Sequence, residues 1–315
     1  MRTARVRIAE VAFWLGTLAA FFVFPDYLLL GSQIMIAALF ALSIDLILGY
    51  AGIVSLGHAA FFGVGAYCAG LLATHGWGEP FSGLLVAAAA AGVIGYFTSF
   101  LVVRGQDLTR LMITLGVCML LFETANRFPG VSGGADGLQG MQMGKVLGLF
   151  AFDLYGRTAY LYALTVLFAL FCLARRLIGS SFGLALRGIR ENPRRMPAIG
   201  SPVARRLITV YTIAAAIAGV AGALLAQTTQ FVALDVLGFN RSAEILIILI
   251  LGGTGRLYGG LIGALVFMVA QDHFSGVDPK YWQFWLGSFL VLVVLFARGG
   301  VLGGADRLQR MFRKK

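Results

Sequence analysis

The chain is dominated by apolar runs that are each close to the length of a membrane-spanning helix and are separated by short polar breaks. A helix needs about 20 apolar residues to cross a bilayer. With 59% hydrophobic and 12% charged residues, the composition excludes a soluble domain. The sequence therefore predicts one all-α domain over residues 1–315, a polytopic transmembrane helical bundle of about 8–10 spans, some of them interrupted. The predicted spans are 8–24, 28–49, 53–74, 81–103, 108–128, 157–174, 204–229, 242–252 continuing into 257–273, and 281–297.

The basic residues collect in the breaks on alternate sides of these spans. If the N-terminus is placed inside, 20 of the 25 Lys and Arg fall on the cytoplasmic side. Cytoplasmic segments of membrane proteins are enriched in Lys and Arg. We therefore predict cytoplasmic N- and C-termini. The net charge of +11 does not indicate a nucleic-acid partner, because the charges are dispersed over short loops and tails.

One stretch, the basic segment of residues 175–206, holds eight of the 25 Lys and Arg. Phe182, Leu186 and Ile189 recur there at helical spacing, which predicts a helix with one apolar face and with Gly183 and the arginines on another. We interpret the basic segment as a docking site for a cytoplasmic partner. The alternative is a charged loop whose only role is to stay in the cytoplasm, and the spacing fits both.

The second half of the basic segment carries cap and turn signals. Asn192 before Pro193 is typical of an N-cap followed by a first-turn proline, so one helix should end near Glu191 and a very short one should follow. Gly200 suits a left-handed position at its end. Ser201-Pro202 repeats the cap-plus-proline signal and predicts the start of the next long helix.

Two apolar spans are interrupted by glycine in related ways, one beginning at Asp45 and the other at Glu244. Interrupted spans in corresponding positions indicate a translocation path, because irregular backbone at membrane depth has to line a cavity or be buried in protein. The alternative is close helix packing through small residues. The residues that we predict for the path and its gate are Asp45, Gly49, Gly52, Ser55, Gly57, His58, Glu244, Gly252, Gly253 and Gly255.

Three ionisable residues lie in these spans, and a purely structural role accounts for some of them better than for others. Asp45 has no partner nearby in the sequence, so it is the strongest candidate for function. Glu244 can pair with Arg241 one helical turn away. His58 is more often a hydrogen-bonded structural histidine than a proton relay.

The chain lacks a phosphate-binding loop. Its Gly144-Lys145 pair is followed by Val146, and Gln139 stands where such a loop needs its first glycine. Catalytic-triad and metal-ligand spacings are also missing from the sequence. We therefore predict a non-enzymatic subunit with no catalytic residues, no metal and no cofactor of its own.

At these motifs the sequence resembles the LivM/LivH-type permeases of ABC importers for branched-chain and other hydrophobic amino acids, and the LivM branch most. The matching stretches are Leu48–Tyr67, Gly183–Asn192 through Gly200, Ala218–Leu224 and Glu244–Gly260. The resemblance implies a heteromer in the bacterial inner (cytoplasmic) membrane. Its other members would be a LivH-like second permease, two P-loop ATPases of the LivG/LivF kind that bind ATP and Mg, and a periplasmic or lipid-anchored substrate-binding protein.

The resemblance also implies that the basic segment is a coupling loop seated in a groove of the ATPase. Its basic face of Arg187, Arg190 and Arg194 is then expected to pair with carboxylates of the ATPase. The chain departs from the family pattern where Pro193–Pro197 replaces an Ala/Glu-rich helix. The predicted coupling residues are Gly183, Arg187, Arg190, Glu191, Asn192, Pro193, Arg194 and Gly200.

We therefore predict a permease subunit that forms, with a second permease, the path for branched-chain amino acids or related small solutes. Urea or small amides are an alternative substrate class within the same family. An ion-coupled secondary transporter is an alternative mechanism, in which Asp45 would carry protons or sodium. A passive channel or a structural membrane subunit would need no energy source. Selectivity is expected to lie largely in the external binding protein.

Overall fold

A computed structural model of the chain describes residues 2–304, apart from 147, 149, 154, 297 and 298. The side chains of residues 2–9, 107, 294 and 296 are also outside this description. The basic C-terminal residues that contribute to the predicted orientation, Arg298, Arg307, Arg310, Arg313, Lys314 and Lys315, lie outside the described residues.

The described residues form α-helices, short 3₁₀ and π-helical turns, and two isolated β-bridges. The helices are α1 (Arg2–Val23), α2 (Leu28–Asp45), α3 (Ala59–Thr74), α4 (Pro80–Arg104), α5 (Asp107–Arg127), α6 (Pro129–Ser132), α7 (Arg157–Gly179), α8 (Ser181–Glu191), α9 (Val203–Thr229), α10 (Phe239–Gly252), α11 (Leu257–Val277) and α12 (Trp282–Phe296).

Six of the described helical stretches are long and apolar enough to cross a membrane, and three shorter apolar helices accompany them. The all-α, polytopic fold predicted from the sequence is thereby confirmed. Each predicted span coincides with a helix, but α3 begins at Ala59 rather than at residue 53, because residues 51–58 leave the helical conformation. The direction in which the bundle crosses the membrane stays a prediction.

Helix α9 lies at the centre of the bundle. In its most apolar stretch 72% of the residues are buried, whereas in that of α5 only 11% are buried. Helix α9 packs against α3 and α4 through glycines. A Cβ atom at Gly222 would collide with the carbonyl oxygen of Phe62, and one at Gly65 would collide with the carbonyl of Gly219. Helices in lipid associate mainly by close van der Waals packing, since lipid tails are as apolar as the helices. The small residues of α9 therefore set its position.

Buried polar groups join the same helices. The Tyr162 hydroxyl of α7 donates to Oε1 of Gln227 at 2.9 Å, and Nε2 of Gln227 donates to the carbonyl of Pro80 at 2.8 Å. Gln227 is 1% exposed. One side chain of α9 thus connects α7 with the start of α4, and interhelical hydrogen bonds of this kind stabilise membrane bundles.

Replacing Gly222 with alanine is expected to lower the free energy of unfolding by about 1–3 kcal/mol, because the added methyl forces α9 away from α3. The measurement is the thermal unfolding midpoint of the detergent-solubilised protein. Gly116 is the matched control, since a Cβ there meets no atom within 4 Å. The Gly116→Ala protein should unfold at the wild-type midpoint or slightly above it. Equal midpoints for Gly222→Ala and Gly116→Ala would contradict the packing described.

Candidate coupling site and translocation path

The first half of the basic segment forms α8 with the predicted apolar face. Leu186 and Ile189 are buried and Phe182 is half-buried. Gly183 does not lie on an exposed basic face as its spacing predicted. It is buried where α7 meets α8, and a Cβ there would collide with the carbonyl oxygen of Ile178. One side of α8 is thereby fixed against the bundle.

The second half of the basic segment is a compact turn. Asn192 Oδ1 accepts hydrogen bonds from the backbone N–H groups of Arg194 and Arg195, each at 3.2 Å, so Asn192 caps this turn as predicted. The short helix predicted to start at Pro193 is wrong, because residues 193–196 form a turn. A 3₁₀ turn follows at Pro197–Ile199, and Gly200 adopts the predicted left-handed conformation with φ of 77°. The predicted cap at Ser201 is wrong, because α9 begins at Val203 without a side-chain cap.

Two interruptions of helical structure face α8. The first break, residues 46–58, consists of a π-helical turn at Leu46–Tyr50 and a non-helical stretch at 51–58. The second break, residues 253–256, separates α10 from α11. Gly52, Gly253 and Gly255 have φ values of 74°, 113° and 74°, so a side chain at these positions would strain the backbone.

The two breaks are joined directly by Asp45. Its Oδ1 accepts a hydrogen bond from the backbone N–H of Gly255 at 2.7 Å. Asp45 is 1% exposed, and its other carboxylate oxygen is buried without a hydrogen-bond partner among the described residues. The partner that the sequence near Asp45 does not provide therefore comes from the other interrupted span.

Arg190 of α8 reaches this junction. Its Nη1 donates a hydrogen bond to the carbonyl oxygen of Gly49 in the first break. The same Nη1 is 3.0 Å from the position that a Cβ of Gly255 would occupy in the second break. Arg190 is thus hydrogen-bonded to the first break and lies beside the second.

Arg187, one turn earlier on α8, contacts the same region. Its guanidinium carbon lies 5.4 Å from the centre of the Tyr50 ring, at a distance typical of a cation–π contact. A cleft between α8 and the breaks is lined by Gly49, Tyr50, Arg187, Arg190, Glu191 and Gly255. All three arginines expected to face an ATPase are exposed, but Arg187 and Arg190 also contact this chain itself.

The remaining predicted residues of the first break are buried structural positions. Nε2 of His58 lies 3.0 Å from the Ser43 hydroxyl, and its ring stacks on Phe40 with 5.8 Å between the ring centres. Ser55 is fully buried, and a Cβ at Gly57 would collide with the backbone of α5. The hydrogen-bonded structural role favoured for His58 agrees with this geometry.

The second break combines an interruption with close packing. A Cβ at Gly252 would collide with the carbonyl of Gly259, so α10 and α11 approach backbone to backbone. The close packing that the sequence left open is therefore present at Gly252, and a gate at this break stays a prediction.

Glu244 does not join this site. Its Oε2 pairs with Nη1 of Arg241 at 2.9 Å, as the sequence predicted. The pair lies near the start of α10, away from the second break at the other end of that helix. The two carboxylates that begin the interrupted spans therefore lie in different places, because Asp45 is at the breaks and Glu244 is not.

Three residues of the site were not singled out from the sequence. Tyr50 lies in the first break. Its position as an aromatic residue next to the glycines of an interrupted helix is the sequence feature that could have identified it. Leu184 and Ile199 are 63% and 75% exposed on the basic segment, on the side that does not contact the bundle. Large exposed apolar side chains on a charged segment indicate a contact surface.

Sequence comparisons relate the chain to known proteins. The family described as "Branched-chain amino acid transport system / permease component" matches residues 27–297. The chain is similar to the high-affinity branched-chain amino acid transport system permease protein LivM of Escherichia coli (strain K12), with 27% identity over 299 residues that cover 85% of this chain and 68% of that protein. It is also similar to LivH of Salmonella typhimurium, with 26% identity over 283 residues that cover 84% of this chain and 91% of the relative.

A probable branched-chain amino acid transport permease protein LivH of Methanocaldococcus jannaschii is 28% identical over 198 residues. No solved structure matches the chain. The family match contains both breaks and the whole of the basic segment. The chain therefore belongs to the family of permease components of branched-chain amino acid transport systems.

Proposed function

We propose that this permease works in the bacterial inner membrane with a second permease of the LivH kind, two P-loop ATPases and an external substrate-binding protein. The names of the relatives support branched-chain amino acids as the substrate. The chain itself binds neither ATP nor Mg and catalyses no reaction in this proposal, since its sequence has no phosphate-binding loop.

The observation that carries the proposal is the position of Arg190, which binds the first break and lies beside the second. Arg190 belongs to α8, a short helix outside the spans, and donates to Gly49 in the first break beside Gly255 in the second. A displacement of α8 by an ATPase would act on the end of α2 and on the α10–α11 junction together. Arg190 is thus proposed to transmit the movement of the ATPase to the gate, rather than to bind the ATPase.

The surface for the ATPase is proposed to be the opposite side of the basic segment. Leu184 and Ile199 are exposed there, and the exposed Arg194 and Glu191 lie in the same segment. Apolar side chains surrounded by charged groups are typical of a protein interface. This arrangement gives α8 one side for the bundle and one for the partner.

Replacing Arg190 with alanine in the complete transporter is expected to reduce amino acid uptake by about tenfold or more, with ATP hydrolysis retained, because the gate loses its connection to α8. The double variant Arg190→Ala, Glu191→Ala should behave alike. Uptake into proteoliposomes and ATP hydrolysis are measured on the same samples. The exposed Arg127, at the end of α5, provides the control Arg127→Ala. Full uptake by Arg190→Ala would refute a transmitting role.

Replacing Leu184 with aspartate is expected to weaken assembly with the ATPases by about tenfold or more, since a charge would enter an apolar contact. The measurement is the amount of ATPase that co-purifies with the tagged permease. Leu184→Met, which keeps the apolar surface, is the matched control. ATPase recovered in equal amounts with Leu184→Asp and Leu184→Met would place the partner on another surface.

A further inference from the structure

A second cavity, the far cleft, opens between α2, α9, α10 and α11 and measures about 450 Å³. Gln33, near the start of α2, lines it, whereas Gly49 beyond the end of α2 contacts Arg190. At the helical rise these two positions are roughly 24 Å apart along the span. The far cleft is therefore distinct from the coupling site and lies at the other end of the interrupted helices. Its volume is in the range of small-molecule sites.

The floor of the far cleft is apolar. Most of its side chains are almost fully buried and come from three spans and the start of α3. They are Ile36, Phe40, Phe62, Ile245, Ile248 and Met268. Aliphatic and aromatic side chains of this kind accept a branched hydrocarbon group and leave a polar group without partners.

The rim of the far cleft carries paired opposite charges. Arg241 and Glu244 form the 2.9 Å ion pair described above, with side chains 33% and 26% exposed. Asp235 also lines the cleft, as does Gln271, whose Oε1 is buried without a hydrogen-bond partner among the described residues. A guanidinium has five N–H donors, and Glu244 occupies few of them.

We propose that the far cleft binds the transported amino acid itself, as a zwitterion, during its passage through this subunit. The α-carboxylate binds Arg241, the ammonium group binds Glu244 with Oε1 of Gln271 as a second acceptor, and the aliphatic side chain lies on the apolar floor. Side-by-side charges of opposite sign match a zwitterion, whose two charges are held close together on one carbon. The inference rests on the proposed function and adds a selective site within the permease.

The same charges argue against a neutral solute. Urea or a small amide would hydrogen-bond to Gln271 but would gain nothing from the charges of Arg241 and Glu244 and would leave the floor in contact with water. A site built to pair polar groups rejects an analogue that lacks them far more strongly than an apolar pocket rejects an extra methylene.

The test is equilibrium dialysis of the solubilised permease–ATPase complex, without the external binding protein, against radiolabelled L-leucine. Isoamylamine, which lacks the carboxylate, and 4-methylpentanoate, which lacks the ammonium group, are measured in parallel. The wild type should bind leucine most tightly. Arg241→Gln should reduce the affinity for leucine by about tenfold or more and leave the affinity for isoamylamine unchanged. Glu244→Gln should also reduce the affinity for leucine, but it should leave the affinity for 4-methylpentanoate unchanged.

Lys280→Gln is the control, since Lys280 follows α11 and does not line the far cleft. A wild-type complex that transports leucine but binds none would overturn the inference. An equal loss of affinity for all three compounds in both variants would also overturn it, because this result would indicate that Arg241 and Glu244 have a structural role. A complex that neither binds nor transports leucine, while Arg190→Ala still uncouples its ATP hydrolysis from transport of another solute, overturns the amino-acid site and leaves the coupling proposal standing.

A second variant tests the floor without touching the charges. Ala37 of α2 lines the far cleft, and Ala37→Leu should fill part of it. The expected result is a shift of about tenfold in relative binding from leucine toward alanine. An unchanged ratio of leucine to alanine binding, in a variant with the wild-type unfolding midpoint, would show that the side chain does not lie on this floor.

Discussion

Backbone groups that leave a helix inside a membrane need hydrogen-bond partners from the protein, because the hydrocarbon offers none. This requirement explains how the two breaks are arranged. The N–H of Gly255 is satisfied by Asp45, and the carbonyl of Gly49 is satisfied by Arg190. Each interruption is thus stabilised by a charged group that belongs to a different part of the chain, and the acid, the base and the glycines form one unit.

That unit has mechanical consequences for the helices that end in it. Helices α2, α10 and α11 each have one end at the breaks, and each also contributes residues to the far cleft farther along its length. A helix transmits displacement along its length because its backbone hydrogen bonds make it stiff. In the proposed coupling mechanism, a movement of α8 is therefore transmitted to the far cleft through three helices at once.

The sequence was sufficient for the parts of the fold that depend on neighbouring residues. Apolar runs gave the helices, and the local signals at Asn192 and Gly200 gave the turn of the basic segment. Helical spacing could not tell whether the polar side of α8 faces a partner or its own chain, and Arg187 and Arg190 face the latter. Gly183 and Ser201 were misplaced for a similar reason, since their environment depends on how α7, α8 and α9 pack.

The contact between Asp45 and Gly255 bridges 210 positions of the sequence. Because ribosomes build the chain from its N-terminus, the carboxylate enters the bilayer long before its partner has been synthesised. An ionisable side chain within a membrane span is costly unless it finds a partner in the protein. A nascent chain that ends before Gly255 therefore lacks this hydrogen bond, which forms only once the last spans have been inserted.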